Sequence, residues 1–537
     1  MKKNFILWSL FVAVLTAMCS CSSSSTDDLL SRVPSDSEIV IVGDVKTVFE
    51  SAGGRVTDTR IVIPSWLSEM TDGVNSSEEL ELANDFIRNS GVNLDACVFT
   101  MKFNWNAPLV IFRLDDRKKF VNYIEDKKFN EFDEKDGVVF FKQEESDWSS
   151  YVGLKDSYAY WVQEVSGDRS FKPVKDICRI IDDAKDAPFS KTSMAKYIAD
   201  NVLGVSVKMP AMLLRELRSS GFPTSMLDLY DGYLCIKGSL DSDDVKIEAK
   251  MFDEEGKTKN LKGFADMIDL NGRISSKALS FMGKNESLVF ASCLKDVNWD
   301  KYFDLIALSA HLSGVERRQF RVVQDYLNNI DGTIACGFGV TNGLESFAMI
   351  DRNRDVLQQI AVTIVVETKD DKAKRLMSDL EDLLEMASIP YEGSIANGFK
   401  VDIPGENAAI SIASGGNFIV FSNHKIKRGN NNATVREFDF SDYIGAMALY
   451  LDKDNRLMKD LGLKNDVLFS YYGDSKDMEM TMELKVKGGA GAGVIEKIGN
   501  MILTASKTDF SAYYPWSVYD QTDEVVVEEI AVDDYDF

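Results

Sequence analysis

Two cysteines near the start, Cys19 and Cys21, have the surroundings that point most directly to chemistry. Lys2 and Lys3 precede an apolar run from Phe5 to Ala17, long enough for a signal-peptide core but too short to span a bilayer of about 30 Å. A small residue before a cysteine is the pattern of a lipoprotein signal, in which the thiol takes a diacylglyceryl group. Cys21 follows Ser20, whereas Cys19 follows bulky Met18, so Cys21 is the expected lipid anchor. Several acyl chains hold a protein on a membrane at about 0.8 kcal/mol per buried methylene. The expectation is an outer-membrane lipoprotein exposed at the cell surface. Ser25-Thr26-Asp27-Asp28 puts serine and acidic charge just after the expected anchor, as an export tag to the surface would.

Other reactive residue types are sparse. His311 and His424 are the only histidines, and neither lies in a ligand spacing such as HExxH. His311 sits in an apolar helical pattern with Leu305, Ile306, Leu308 and Leu312, which suggests a structural role. His424 precedes the basic loop Lys425 to Arg428. Gly488-Gly-Ala-Gly-Ala-Gly493 lacks the Lys-Ser/Thr of a phosphate loop and reads as a flexible linker. Acidic clusters at Asp241, Asp243 and Asp244, and at Asp452 and Asp454, lack the glycine and distal glutamate of an EF-hand. They read as solvated turns. Glycoside hydrolysis would need two carboxyls at a defined separation, which spacing along a chain does not establish. Among the tryptophans, Trp66, Trp161 and Trp299 read as packed. Trp105 and Trp148, in polar turn-like segments, are the candidate ligand-binding residues for stacking on a sugar. No catalytic residue, metal ligand or cofactor is expected.

Composition sets the frame. The chain has 537 residues and a net charge of −25, which becomes −27 when Lys2 and Lys3 leave with the signal. Such a field repels phosphate backbones and excludes nucleic acid as a partner. It also disfavours docking on an anionic membrane face. The cysteines after Cys21 are five, at 97, 178, 235, 293 and 336. They lie among apolar neighbours without CxxC spacing and read as buried thiols.

The elements that must position these residues show internal similarity. Pro34-Ser-Asp-Ser-Glu-Ile-Val-Ile-Val and Asn285-Glu-Ser-Leu-Val-Phe-Ala share a turn followed by a buried strand. Tyr230-Asp-Gly-Tyr-Leu-Cys and Ile330-Asp-Gly-Thr-Ile-Ala form a second matched pair. Each is expected to continue into another strand, 245–252 and 345–350. The third pair is a strand, an amphipathic helix and further strands, over 108–162 and again over 360–416. In its second copy, Ala373, Leu376, Leu380, Leu383 and Ala387 form one apolar stripe. Together these predict an α+β protein with two related halves of mainly antiparallel sheet and helices packed on one face. The expected boundaries are a signal peptide over 1–20, a flexible tether over 21–33, halves over 34–275 and 276–487, and a Gly-rich linker, helix and acidic tail over 488–537.

The opening of the mature body, Val33-Pro-Ser-Asp-Ser-Glu-Ile-Val-Ile-Val-Gly-Asp-Val-Lys-Thr-Val-Phe-Glu-Ser-Ala-Gly-Gly54, resembles uncharacterised Bacteroidetes lipoproteins of the domain of unknown function 4836 family. The resemblance implies an envelope lipoprotein and carries over no catalytic residues. The function expected is a non-catalytic binding or structural module held at a membrane by its lipid, with an envelope protein or a glycan as partner. A carboxylate-dependent hydrolase of glycan or peptide and a glycan-binding protein are the alternatives.

Overall fold

A computed structural model describes residues 23–508, apart from 58–59, 71–76, 102–107, 145–147, 166–171, 200, 220–223, 265–266, 302, 304–323, 325, 352–355, 371, 404–407, 427, 430, 475–477 and 490. The protein is α+β, and one antiparallel sheet of 20 strands organises it. From one edge the order is Asn130–Lys135, Val138–Glu144, Trp148–Lys155, Tyr158–Val165, Leu109–Leu114, Val92–Met101, Ile39–Gly43, Leu203–Lys208, Tyr233–Leu240 and Asp244–Phe252. Asp244–Phe252 then pairs across a seam with Glu479–Lys487. Beyond the seam come Asp466–Asp474, Gly445–Leu451, Leu288–Leu294, Ile330–Val340, Ile360–Thr368, Phe418–Ser422, Ala409–Gly415, Gly398–Asp402 and Tyr391–Ser394. Numbered along the chain within each ten, both sets run 4-5-6-7-3-2-1-8-9-10 from outer edge to seam. The two seam strands hold the same rank and meet antiparallel, as a two-fold axis between the sets requires.

Helices pack on both faces rather than one. Side chains alternate along a strand, so neighbouring residues serve opposite faces. Val98 and Ile111 face Leu29, Leu30, Ile177, Ile180 and Ile198, from helices Ser23–Leu30, Pro173–Asp186 and Ser193–Ile198. Cys97 and Phe112 face Phe86, Phe120, Tyr123 and Ile124, from Ser77–Asn89 and Arg117–Asp126. On that second face, helix Lys372–Met386 covers the far wing of the other set. Its inward stripe is Ala373, Met377 and Leu384, with Leu376 and Leu380 half-buried, while Leu383 points outward.

Three other expectations change. Residues 23–30 form a helix, and Leu29, Leu30 and Val33 are buried, so this part of the 21–33 segment is core rather than flexible tether. Leu344–Asp351 is a helix, not a strand, with Leu344 and Ala348 turned inward at helical spacing. The two Asp-Gly strands hold different ranks: Tyr233–Leu240 is ninth in its set and Ile330–Val340 second. Gly232 and Gly332 both take φ 129°, but Gly332 lies within strand Ile330–Val340 where the register shifts, so the likeness records a shared glycine conformation, not an equivalent place in the sheet.

Candidate functional site

His424 follows directly on strand Phe418–Ser422, where Asn423 ends the ladder. Asn423 accepts from the Val362 N–H (2.9 Å) and donates to the Leu357 and Ile360 carbonyls (2.7 Å each). The imidazole is thereby held with Nε2 at 3.3 Å from Glu286 Oε1 and Nδ1 at 3.1 Å from Ser422 Oγ. The Glu286 side chain is wholly buried, and its Oε2 accepts from the Gly283 N–H at 2.7 Å. Burial pushes the Glu286 carboxyl above the usual range. The Thr363 hydroxyl, the Gly283 N–H and His424 oppose that shift without overcoming it.

Serine, histidine and glutamate are the residue types of an acyl-transfer triad, but the hydroxyl is committed elsewhere. Ser422 Oγ donates to the Val362 carbonyl (3.1 Å) and accepts from the Thr363 hydroxyl (3.1 Å) and the His424 N–H (3.2 Å). Ser422 is also buried, so no substrate carbonyl reaches it. What the arrangement can do is keep a buried carboxyl 3.3 Å from a half-exposed imidazole.

This cluster belongs to one strand set alone. Val40 and Val289 are each fully buried on the first strand of their set. Following the pairings outward gives the rung Val40, Thr100, Leu109, Val162 in one set and Val289, Gly337, Thr363, Ser422 in the other. Ser37 stands where the second set has Glu286. Gly337 makes room for that carboxyl, since a Cβ there would lie 2.4 Å from Glu286 Oε2.

A second feature spans the seam. One rung runs through eight strands as Leu203, Gly238, Ile247, Met482, Tyr471, Met447, Phe290 and Cys336. At about 4.8 Å per strand it extends roughly 34 Å. None of these residues is charged, and Leu203 (44%), Ile247 (39%), Met482 (41%) and Phe290 (47%) are open to solvent. The opposite face of the seam carries Lys246 against Glu483 and Glu248 against Thr481. Its charges are the half-buried ones: Lys250 pairs with Glu479 at 3.3 Å, and Tyr197 donates to Glu479 at 3.1 Å. At the seam, therefore, the apolar face is the open one. Asp244 shares a hydrogen bond with Glu483 there, and burial with that second carboxyl pushes Asp244 up to about 7. Carboxyls in contact leave no room for the water or sugar that glycoside hydrolysis places between them.

The residues singled out in the sequence scatter. Cys21, Trp105 and His311 lie outside the described residues. Trp148 begins strand Trp148–Lys155 opposite Val165 and is half-buried. Trp161 is core, and Trp66 packs on Gly499 while its indole N–H donates to the Ala52 carbonyl at 2.8 Å. Cys97, Cys178, Cys235 and Cys293 are buried, Cys336 half-buried, and none forms a disulfide. Burial raises Cys235 to about 12. The glycine segment leads into helix Val494–Ser506 and borders a cleft of about 580 Å³ lined by Ser242, Asp243, Gly491 and Lys497. Lys497 does supply a cation there, but Asp243 and the Ser242 carbonyl take it up. Sequence reasoning missed Glu286, whose burial depends on Gly337 from a distant segment. It also missed the open rung, because period-two patterns do not say which face stays bare.

No family model matches the chain, and no curated protein matches it. Among solved structures, crystal form III of TP0453 aligns with 42% of this chain and 80% of its own, at 8% identity and a TM-score of 0.26. Crystal form IV gives 10% identity and a TM-score of 0.24 over the same shares. No helix among the described residues is long and apolar enough to cross a membrane.

Proposed function

We propose that the chain is a non-catalytic envelope lipoprotein, anchored through Cys21 to the outer membrane at the cell surface, that binds a protein partner through the open apolar rung. The rung carries this reading. Exposed apolar areas of this extent mark interaction sites on soluble bodies, and Met, Tyr and Phe are the residues enriched in protein interfaces. Backbone N–H and C=O groups of interior strands are already paired, so a partner must bind by side-chain contact rather than by adding a strand. A span of roughly 34 Å suits a protein surface better than a single sugar ring. The glycan-binding alternative rests on Trp105 and Trp148, and Trp148 is half-buried at a strand start. The hydrolase alternative lacks a reachable nucleophile in the His424 cluster and a spaced acid pair at Asp244.

The repeated strand order further supports reading the halves as copies of one ten-strand unit, consistent with the family resemblance of the opening segment. In that reading the first copy begins with helix Ser23–Leu30, whose counterpart is Ser276–Leu279.

A photo-crosslinking residue at position 482 in cells tests the binding surface. The expected result is one discrete adduct with a single envelope protein, lost when Ile247→Lys is added and absent with the crosslinker at exposed Glu131. Equal labelling at 482 and 131 overturns the surface. Cys21→Ala tests the anchor separately: it should move the chain out of the membrane fraction, and retention there refutes it.

A further inference from the structure

Residues 270–285 and residues 424–436 of this acidic chain carry lysines and arginines and no aspartate or glutamate. The fold locks them together. The Gly429 N–H donates to the Ser280 carbonyl at 2.8 Å. Asn432 Nδ2 donates to the carbonyls of Gly283 (2.6 Å) and Glu286 (2.8 Å), and the Arg428 guanidinium lies 5.6 Å from the centre of the Phe281 ring. Lys277, Lys284, Lys425 and Arg428 are all exposed around this junction. Among the described residues none of them pairs with a carboxylate, whereas many other lysines of the chain do, as with Lys485–Glu483 and Lys507–Glu69. Glu286, next to the first stretch, is buried and lies 3.3 Å from His424.

We infer that these two segments form a basic docking patch for the anionic headgroups of a phospholipid bilayer. Net charge argues otherwise only at long range. At physiological salt the screening length is about 8 Å, so the distant acids are damped while adjacent cations act together. The cations are spread along two segments, Lys277 in helix Ser276–Leu279 and Lys284, Lys425 and Arg428 outside helices and strands. That spacing suits a plane of many phosphates more than a single bound phosphate, which takes convergent or bidentate donors. Each lysine or arginine at such a surface strengthens binding about fivefold. The inference does not need the acyl anchor, and its test removes that anchor.

The test is co-sedimentation of the full chain carrying Cys19→Ala and Cys21→Ala with phosphatidylcholine vesicles, with and without phosphatidylglycerol. The expected result is binding to the anionic vesicles alone, weakening as salt rises. Lys284→Ala, Lys425→Ala and Arg428→Ala together should weaken it about a hundredfold, while Lys374→Ala on a distant helix should leave it unchanged. Equal binding to both vesicles, no salt dependence, or no loss in the triple variant would overturn the inference. Full competition by millimolar inorganic phosphate would overturn it too, by showing a discrete phosphate site. These outcomes are independent of whether Cys21 is acylated or the rung binds a protein.

Discussion

Glu286 Oε1 lies 3.3 Å from His424 Nε2, and it does so because residue 337, on the neighbouring strand, is a glycine. The carboxyl fills the volume that a side chain would occupy. The corresponding rung of the other set has Thr100 at that place and Ser37 in place of the acid. One set of strands thus carries neutral hydroxyls where the other carries an ionisable carboxyl.

Stability should report that difference through pH. The Glu286 carboxyl is raised in the folded state, so its contribution is fully present below the ordinary glutamate range and is lost as pH climbs through the raised value. Glu286→Gln keeps an acceptor for the Gly283 N–H and cannot ionise. Its melting temperature relative to the parent should therefore rise steadily from pH 4.5 to pH 8. A constant offset across that range would show that Glu286 does not titrate as described.

The seam offers a second titration. Asp244 at about 7, beside Glu483, favours the folded state while it holds its proton and ceases to do so as pH rises through about 7. Asp244→Asn should raise urea midpoints more at pH 8.5 than at pH 5.5. Lys485 and Lys246 flank the pair and moderate the effect, and the aspartate is partly solvated, so the change will be small. Equal effects at both pH values would refute the shared proton.

Leu30 is fully buried within the core cluster that also contains Val40 and Phe140. Leu30→Ala should cost about 2–5 kcal/mol, measured by denaturant unfolding. A loss under about 0.5 kcal/mol, the range of a surface change, would return residues 23–33 to the role of a tether.

Gly499 and Trp66 should be energetically coupled. A Cβ at 499 would sit 2.3 Å from the indole ring. Gly499→Ala is therefore expected to destabilise by about 1–3 kcal/mol, although alanine is the better helix former by about 1 kcal/mol. In a Trp66→Ala background the same change should become neutral or stabilising. Additive behaviour in the double-mutant cycle would refute the contact.

Much of the local structure was legible along the chain. A turn followed by an apolar run marked Ile39–Gly43 and Leu288–Leu294 as buried strands, and the third matched segment marked an amphipathic helix where Arg117–Asp126 lies, with Asp116 capping its Lys119 N–H at 3.0 Å. The first and third matched segments pointed to two similar halves because strand and helix periodicity is written in neighbouring residues. The second pair misled because an Asp-Gly dipeptide is equally local, whereas a strand's rank depends on which distant segments it meets.

Taken alone, the sequence determined the α+β class, the antiparallel hairpins, the excess negative charge and the scarcity of histidine, all properties of residue type and short-range spacing. Only the tertiary structure decided that Glu286 is buried under Gly337, that two acid-free segments meet, and that Ile247 and Met482 face solvent side by side. Each of these depends on contacts between segments far apart in the chain, and a period of two says that a strand has two faces without saying what covers either.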